Sequence, residues 1–206
     1  MKRLFDIFAS AAALLVLSPL LLLVSMAIVV DSGFPIFFSQ QRIGRNFRQF
    51  RLWKFRSMRL NSSGPSITVA GDDRITRLGR LLRNAKLDEI PQFWNVLRGE
   101  MSLVGPRPEV PEYVDEYKER YRNILKVRPG ITDLASIYFR NEEDLLAKSS
   151  DPLREYRDRI LPLKLDLADT YVQSRSMCGD MAILARTSIA IFLKRDSIEE
   201  RMTPTG

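Results

Sequence analysis

Residues 7–30 read IFASAAALLVLSPLLLLVSMAIVV and contain no charged side chain. A run of about 20 apolar residues is enough to carry a helix across a bilayer, so this stretch decides whether the chain is a free domain or one held at a membrane. A cleaved signal peptide fits poorly, because its apolar region usually ends within roughly 7 to 15 residues at a small-residue site. An ordinary transmembrane anchor is the plain alternative, and the flanks argue against it. Lys2, Arg3 and the terminal amine precede the stretch, while Arg42, Arg45, Arg48, Arg51, Lys54, Arg56 and Arg59 follow it. Basic flanks stay in the cytoplasm, and here both ends carry them. A helix that enters one leaflet, bends and leaves by the same face satisfies both. Ser18-Pro19 supplies the bend: Pro19 has no N–H for the carbonyl of Leu15, its ring clashes there, and the Ser18 hydroxyl can bond a carbonyl of the preceding turn. Spanning helices also tolerate proline, but the expectation is a re-entrant membrane helix over 1–32 and a cytoplasmic domain over 33–206 lying on the interface.

The chain has 206 residues, 32 basic and 25 acidic side chains, one cysteine and no histidine. Without an imidazole, histidine acid-base catalysis, Ser-His and Cys-His pairs and most transition-metal sites are excluded within a single chain. Lone Cys178 excludes an internal disulfide and a cysteine-rich zinc site, which suits a reducing cytoplasm. Carboxylates, Arg and Lys, and a metal held through oxygen are left to do chemistry. Charge is also uneven: residues 42–107 hold 14 basic and 5 acidic side chains, whereas 108–206 hold 16 and 18.

Beyond Val30 the elements become short. Pro35 to Gln41 and Phe47 to Phe55 bracket Gly44-Arg45-Asn46, and the alternation Phe47, Gln49, Arg51, Trp53 predicts a β-hairpin with a basic tip. Asn61 to Gly71 reads as a loop. Ile75, Leu78, Leu82 and Ala85 share a helix face opposite Arg77, Arg80 and Arg83, a basic amphipathic helix expected to lie in the headgroup plane. Pro111 opens a helix with Tyr113, Tyr117 and Tyr121 on a packing stripe. Met181 to Leu193 is too short to cross a bilayer and is read as packed on the body or lying in the interface. The fold class expected is α/β, mainly helical, with the bent membrane helix, the hairpin and amphipathic interface helices around a compact domain.

Between these elements lie two motifs with chemical content. In Lys86-Leu87-Asp88-Glu89-Ile90-Pro91, Pro91 suits the first turn of a helix that runs to Gly99, placing Asp88 and Glu89 at or just before its N-terminus. Such a spot favours negative charge, and an Asp there is more often a cap than a catalyst. In Gly105-Pro106-Arg107-Pro108-Glu109, Pro106 and Pro108 stiffen the backbone around Arg107 and present its guanidinium for a phosphate or a planar base. Val127-Arg128-Pro129-Gly130-Ile131-Thr132 repeats the rigid-turn logic ahead of Arg140.

Taken together, Ser18-Pro19, Lys54-Phe55-Arg56-Ser57-Met58, Leu87 to Gln92, the run Asn95-Val96-Leu97-Arg98-Gly99-Glu100-Met101-Ser102-Leu103-Val104-Gly105-Pro106-Arg107-Pro108, and Arg128 to Thr132 resemble the bacterial sugar transferases. More narrowly they resemble the small monotopic phosphoglycosyl transferases, over nearly the whole chain. The resemblance implies transfer of a phosphosugar from a UDP-sugar to undecaprenyl phosphate at the cytoplasmic face of the bacterial inner membrane, with UMP leaving. It implies Asp88 as the nucleophile that forms a covalent phosphosugar intermediate, Glu89 with Asp88 as holders of Mg²⁺, and Lys54, Arg83, Arg107 and Arg140 as substrate-binding cations. It also implies a re-entrant helix bent at Ser18-Pro19 among inner-membrane lipids. Where the family pattern follows Pro-Gly-Ile-Thr with a Gly and a nearby Gln, this chain has Asp133 and Ser136, and Asn141 to Pro152 looks like an acidic insertion.

The chemistry is consistent with the residues. Attack by one anion on another needs the donor's charge neutralised, which Mg²⁺ does with one or two carboxylates, while Arg and Lys stabilise the transferred phosphoryl. Two other functions compete. The basic segment with Phe47, Phe50, Trp53 and Phe55 interleaved is what a membrane-anchored nucleic-acid binder would use, but it leaves Asp88-Glu89 and the Gly-Pro-Arg-Pro turn idle, so no nucleic-acid partner is expected. A noncatalytic scaffold for glycan assembly is the other. Sugar identity and oligomeric state, a homodimer included, are not legible.

Overall fold

The computed structural model of the protein describes residues 1–60, 64 and 67–193, the last three by backbone alone. It begins with helix α1 (Lys2–Val16) and helix α2 (Ser18–Ser32), which meet at Leu17 with a bend of 60°. The elbow has the chemistry read from the sequence: the Ser18 hydroxyl donates to the Leu15 carbonyl at 2.7 Å, the acceptor that Pro19 leaves unfilled. Among the described residues no single helix is long and apolar enough to cross a membrane, and these two pass that test only as a bent pair.

Strands β1 (Phe37–Ile43) and β2 (Gln49–Phe55) form the expected antiparallel hairpin, with Phe37 opposite Phe55 and Ile43 opposite Gln49. Its turn uses left-handed backbone at Asn46, the residue type that tolerates it best after glycine. The buried face is the one carrying Phe50 and Leu52, so the alternation Phe47, Gln49, Arg51, Trp53 marks the outer face. Helix α3 (Arg77–Asn84) is shorter than its apolar pattern, because Thr76 caps it by accepting from the Gly79 N–H at 2.9 Å. Its apolar stripe is not free for lipid headgroups as expected. Leu82 packs with Val24, Ile28 and Phe55, Leu78 joins them, and Ala85 is exposed. Of the leucines of α3 only Leu81 is left outward, beside exposed Arg77 and Arg80.

A 3-10 turn, Leu87–Glu89, leads through Pro91 into α4 (Gln92–Arg98), which ends at Gly99 in left-handed backbone. Next come β3 (Ser102–Val104), α5 (Pro111–Glu116), α6 (Lys118–Ile124) and β4 (Gly130–Thr132). Strands β3 and β4 pair in parallel, Ser102 with Gly130 and Val104 with Thr132, a pairing the sequence did not announce. Gly105 and Gly130 make it possible, since a Cβ on Gly130 would stand 2.1 Å from the Gly105 nitrogen. The tyrosine stripe packs as predicted, with Tyr113 and Tyr121 in the core and a break at Tyr117 between α5 and α6. Helices α7 (Leu134–Tyr138), α8 (Glu142–Ala147) and α9 (Pro152–Glu155) follow, and a π-helical stretch, Tyr156–Ile160, joins α9 to α10 (Leu161–Ser174). The last helix, α11 (Met177–Leu193), begins four residues before the apolar run and packs Ile183 and Leu184 on the body. Residues of 61–71 that are described form no helix or strand, as expected for that loop.

The first turns of α1 are bound to the body by polar side chains. Lys2 Nζ donates to the Val104 carbonyl at 3.0 Å and pairs with Asp180, and Arg3 donates to the Val96 and Leu97 carbonyls at 2.7 and 3.1 Å, capping the C-terminal end of α4. Buried Asp6 accepts from the Ser102 hydroxyl at 2.8 Å and the Leu103 N–H at 3.3 Å. Lys2 and Arg3, read as topology signals, are therefore also structural partners. At the far end of α2, Arg56 donates to Ser32 Oγ and the Gly33 carbonyl at 2.8 and 2.6 Å. Arg42 is likewise held by the Pro108 carbonyl and Glu109, and Phe50 and Phe55 are buried rather than presented for stacking, although Arg45, Arg48 and Arg51 stay exposed. That weakens the nucleic-acid alternative.

Candidate active site

The Asp88-Glu89 pair sits in the 3-10 turn just before α4, as expected. Lys86, in left-handed backbone at φ 57°, reverses the chain from α3 into this turn. Leu87 packs against the cluster of Val24, Ile28, Phe55 and Leu82, so the turn rests on α2, β2 and α3 together.

Three of the predicted residues meet here. Lys54 of β2 donates to Glu89 Oε1 at 2.8 Å, Arg107 Nη1 donates to Glu89 Oε2 at 3.3 Å, and Arg107 Nη2 also pairs with Oε1. The Arg107 contact is two-pronged, the geometry guanidinium offers and ammonium does not. Burial opposes ionisation of Glu89, but Arg107 and Lys54 outweigh it and hold the carboxyl well below its usual range. The same burial lowers the Lys54 ammonium, with Glu89 pulling the other way. Arg107 is raised, chiefly by Glu89, and stays charged.

Asp88 differs. The residue as a whole is 4% exposed, and its carboxylate has no hydrogen-bond partner among the described residues. Burial pushes its pKa up, with Lys54 the largest opposing influence, and Arg83 and Lys86 adding to that. A buried, unpaired anion costs stability and persists where function needs it. Arg83, from α3, is close enough to act on Asp88 electrostatically, while its guanidinium pairs with Glu143 of α8. Arg140, in the turn between α7 and α8, makes no hydrogen bond to the pair, and its Nη1 is buried without a partner. The structure therefore joins Lys54, Glu89 and Arg107 directly, keeps Arg83 within electrostatic reach, and leaves Arg140 unconnected to them.

Sequence reading missed three side chains that hold residues of the site or their backbone. Asp133, noted only as a departure, caps α7 by accepting from the Ser136 N–H at 2.6 Å and also accepts from the Arg107 N–H at 3.1 Å. An Asp ahead of a short apolar helical run is an N-cap signal that could have found the first contact. Asn95, fully buried, accepts from the Trp53 N–H at 3.1 Å and donates to the Arg51 carbonyl at 2.7 Å, locking β2 to α4 on either side of the site. Glu143 is the third, and gives the acidic stretch its first assigned contact. Pro106 and Pro108 are buried, and their carbonyls accept from the Gly130 N–H at 3.0 Å and from Arg42 at 3.1 Å.

Among the described residues no group of three or more acidic, Cys or His side chains gathers to cage a metal. Both Glu89 oxygens already meet Lys54 and Arg107, so Asp88, without a partner among the described residues, is the carboxylate left open to a magnesium ion carried on a phosphate-rich ligand. Preorganised cations around an unpaired carboxylate suit nucleophilic attack on phosphorus, where positive groups must face the charge that develops.

Comparison with known proteins shows the family. The profile of the bacterial sugar transferase family matches residues 1–194. The UDP-glucose:undecaprenyl-phosphate glucose-1-phosphate transferase of Caulobacter vibrioides is 40% identical over 192 residues, 90% of this chain and 67% of that protein. The UDP-N-acetylgalactosamine-undecaprenyl-phosphate N-acetylgalactosaminephosphotransferase of Aeromonas hydrophila is 44% identical over 143 residues, 66% of this chain and 33% of that much longer relative. The exopolysaccharide production protein PSS of Rhizobium leguminosarum is 45% identical over 150 residues, 66% of this chain and 73% of its own length. With its Asp-Glu turn, its rigid arginine and a match along nearly all its length, the chain is a transferase that belongs to the bacterial sugar transferase family.

Proposed function

We propose that the protein is a phosphoglycosyl transferase that moves a phosphosugar from a UDP-sugar to undecaprenyl phosphate at the cytoplasmic face of the bacterial inner membrane. The observation that carries the reading is the unpaired, buried Asp88 carboxylate beside Glu89, whose charge is already balanced by Lys54 and Arg107. In the first half-reaction an Asp88 oxygen attacks the sugar-bearing phosphorus, that phosphorus gives up its bond to the bridging oxygen, and UMP leaves. In the second, a phosphate oxygen of the lipid attacks the same phosphorus and frees Asp88. Splitting the transfer lets a water-soluble donor and a lipid acceptor use one site in turn. Arg107 and Lys54 face the developing charge, and Arg83 is the nearest further cation. Magnesium, bound by Asp88 with donor phosphate oxygens, would supply charge neutralisation.

The α1–α2 elbow is read as a re-entrant pair, supported by its 60° bend, its apolar exterior and basic residues on both flanks. Labelling of a cysteine added at the N-terminus should occur from the cytoplasmic side only, and access from the periplasm alone would refute re-entry. The test of the reaction is UMP release from a panel of UDP-sugars by purified full-length protein. Release should need magnesium, stop with a chelator, and become multiple-turnover when undecaprenyl phosphate is added. Absence of release with every donor tried would remove the reading.

A further inference from the structure

We infer that Asp133 is a positioning residue for the transfer, fixing the direction in which the turn Pro106-Arg107-Pro108 presents the Arg107 guanidinium, a role that rests on the reaction proposed above. The turn itself is short of donors. Proline has a fixed φ and no N–H, so Arg107 carries the only backbone donor between positions 106 and 108. Pro108 also pushes Arg107 toward extended backbone. The freedom left is a rocking of the peptide plane between Pro106 and Arg107, and that plane sets where the arginine side chain starts. A hydrogen bond to its one N–H is the direct way to stop the motion.

Asp133 makes that bond. Its Oδ2 accepts from the Arg107 N–H at 3.1 Å, while its Oδ1 accepts from the Ser136 N–H at 2.6 Å and so caps α7. The residue is 3% exposed, which leaves no ready water to take its place. Its backbone is held too. It directly follows β4, where Thr132 pairs with Val104 and the Thr132 carbonyl accepts from the Gly105 N–H at 3.1 Å. The turn is therefore strung between β4 and the Asp133 carboxylate, and from it Arg107 reaches both oxygens of Glu89. Glu89 is the main influence raising the Arg107 pKa, and Asp133 adds to it, so the carboxylate acts on the charge as well as on the backbone. Each Asp133 oxygen already accepts a backbone N–H, whereas Asp88 has no such bond among the described residues. One carboxylate braces the cation and the other is left to react. A glycine, the residue of the family pattern at this point, has no oxygen to offer, so the brace belongs to this chain.

Two variants separate aim from folding. Asp133→Ser keeps an oxygen that caps α7, since serine serves there as well as aspartate, but leaves the Arg107 N–H without a partner. Asp133→Asn keeps the size and has one acceptor oxygen for two N–H groups. Full-length protein in nanodiscs is given magnesium, undecaprenyl phosphate and UDP-glucose, UDP-galactose or UDP-N-acetylgalactosamine, and UMP release is followed with the donors that the wild type uses. Both variants should lower kcat about tenfold with donor KM changed less than about twofold, because a misplaced cation loses the developing charge more than the bound donor. Removal of a negative charge alone would draw the anionic donor in, so a lower KM with kcat unchanged would overturn the role. In an Arg107→Lys background there is no fork to aim, and Asp133→Ser should reduce kcat less than about threefold. A loss there as large as in the wild type would mean that Asp133 acts through the fold and would overturn the role as well. Hydrogen exchange needs no turnover: a peptide covering 106–108 should lose protection of the Arg107 amide in Asp133→Ser, while α10 keeps its own. Unchanged protection of that amide would remove the brace. If the wild type releases no UMP from any donor, the transfer reading falls and takes the role of Asp133 with it. If it turns over and the kcat loss or its dependence on Arg107 is missing, only the role of Asp133 fails.

Discussion

Glu89 and Asp88 are neighbours in one turn, yet the structure treats them in opposite ways. Glu89 is tied to Lys54 and Arg107, which arrive from β2 and from the stiff turn after β3. Asp88 is more deeply buried and bonded to nothing among the described residues. The Glu89 side is built and the Asp88 side is kept vacant. The difference teaches that charge compensation and reactivity are divided between two adjacent carboxylates. One is paired so firmly that it anchors the site, and the other pays for its burial in stability so that its lone pairs stay available.

The sharpest way to break this comparison is Asp88→Asn. Turnover should fall on the order of 10⁴-fold, as when a nucleophile is removed from a site whose other parts remain. At neutral pH and without metal, the same variant should be more stable by about 1 kcal/mol, raising Tm by roughly 2–4 °C, because the amide removes a charge from a buried position. Activity kept, or stability clearly lost, would contradict the vacancy argument.

Arg107→Lys attacks the other side. The two-pronged contact with Glu89 becomes a point charge, and kcat/KM should drop about 10²-fold with the protein still folded. Asn95→Ala tests the scaffold beneath both: the Trp53 N–H and Arg51 carbonyl lose a buried partner, and chemical denaturation should show a loss of about 2 kcal/mol. The smallest effect is expected at Glu143→Gln. The carboxylate that holds Arg83 is 42% exposed, so the ion pair is worth at most about 1 kcal/mol. Freeing Arg83 should lower the donor KM no more than about fivefold and leave kcat unchanged, whereas a rise in KM would mean that Glu143 positions the guanidinium instead of competing with the donor.

Much of this was legible where the signal is local. The elbow follows from Ser18-Pro19, the hairpin from two short runs around Gly44-Arg45-Asn46, and the end of α4 from Gly99, because each depends on backbone chemistry within a few residues. The Asp88-Glu89 turn was placed by Pro91, but its meaning came from the resemblance, since an Asp ahead of a helix is usually a cap. What stayed hidden is long-range. No local pattern says that β3 and β4 pair, that Asp6 will accept from Ser102, or that Asp133 will hold the backbone of Arg107. The amphipathic stripe of α3 was visible, but which surface it covers was not, because a helix period shows a face and never its partner. Arg140 was carried over by pattern alone: the motif before it departs at Asp133 and Ser136, and its side chain makes no bond to the pair.

The central claim is that Asp88 becomes the carrier of the sugar phosphate. The most direct measurement is intact-mass and peptide mass spectrometry of full-length protein incubated with a labelled UDP-sugar and magnesium, with the acceptor withheld. A phosphosugar adduct on the peptide containing Asp88, absent in Asp88→Asn and discharged on adding undecaprenyl phosphate, is the result expected. An unmodified Asp88 peptide from a preparation that turns over rapidly when acceptor is present would contradict it.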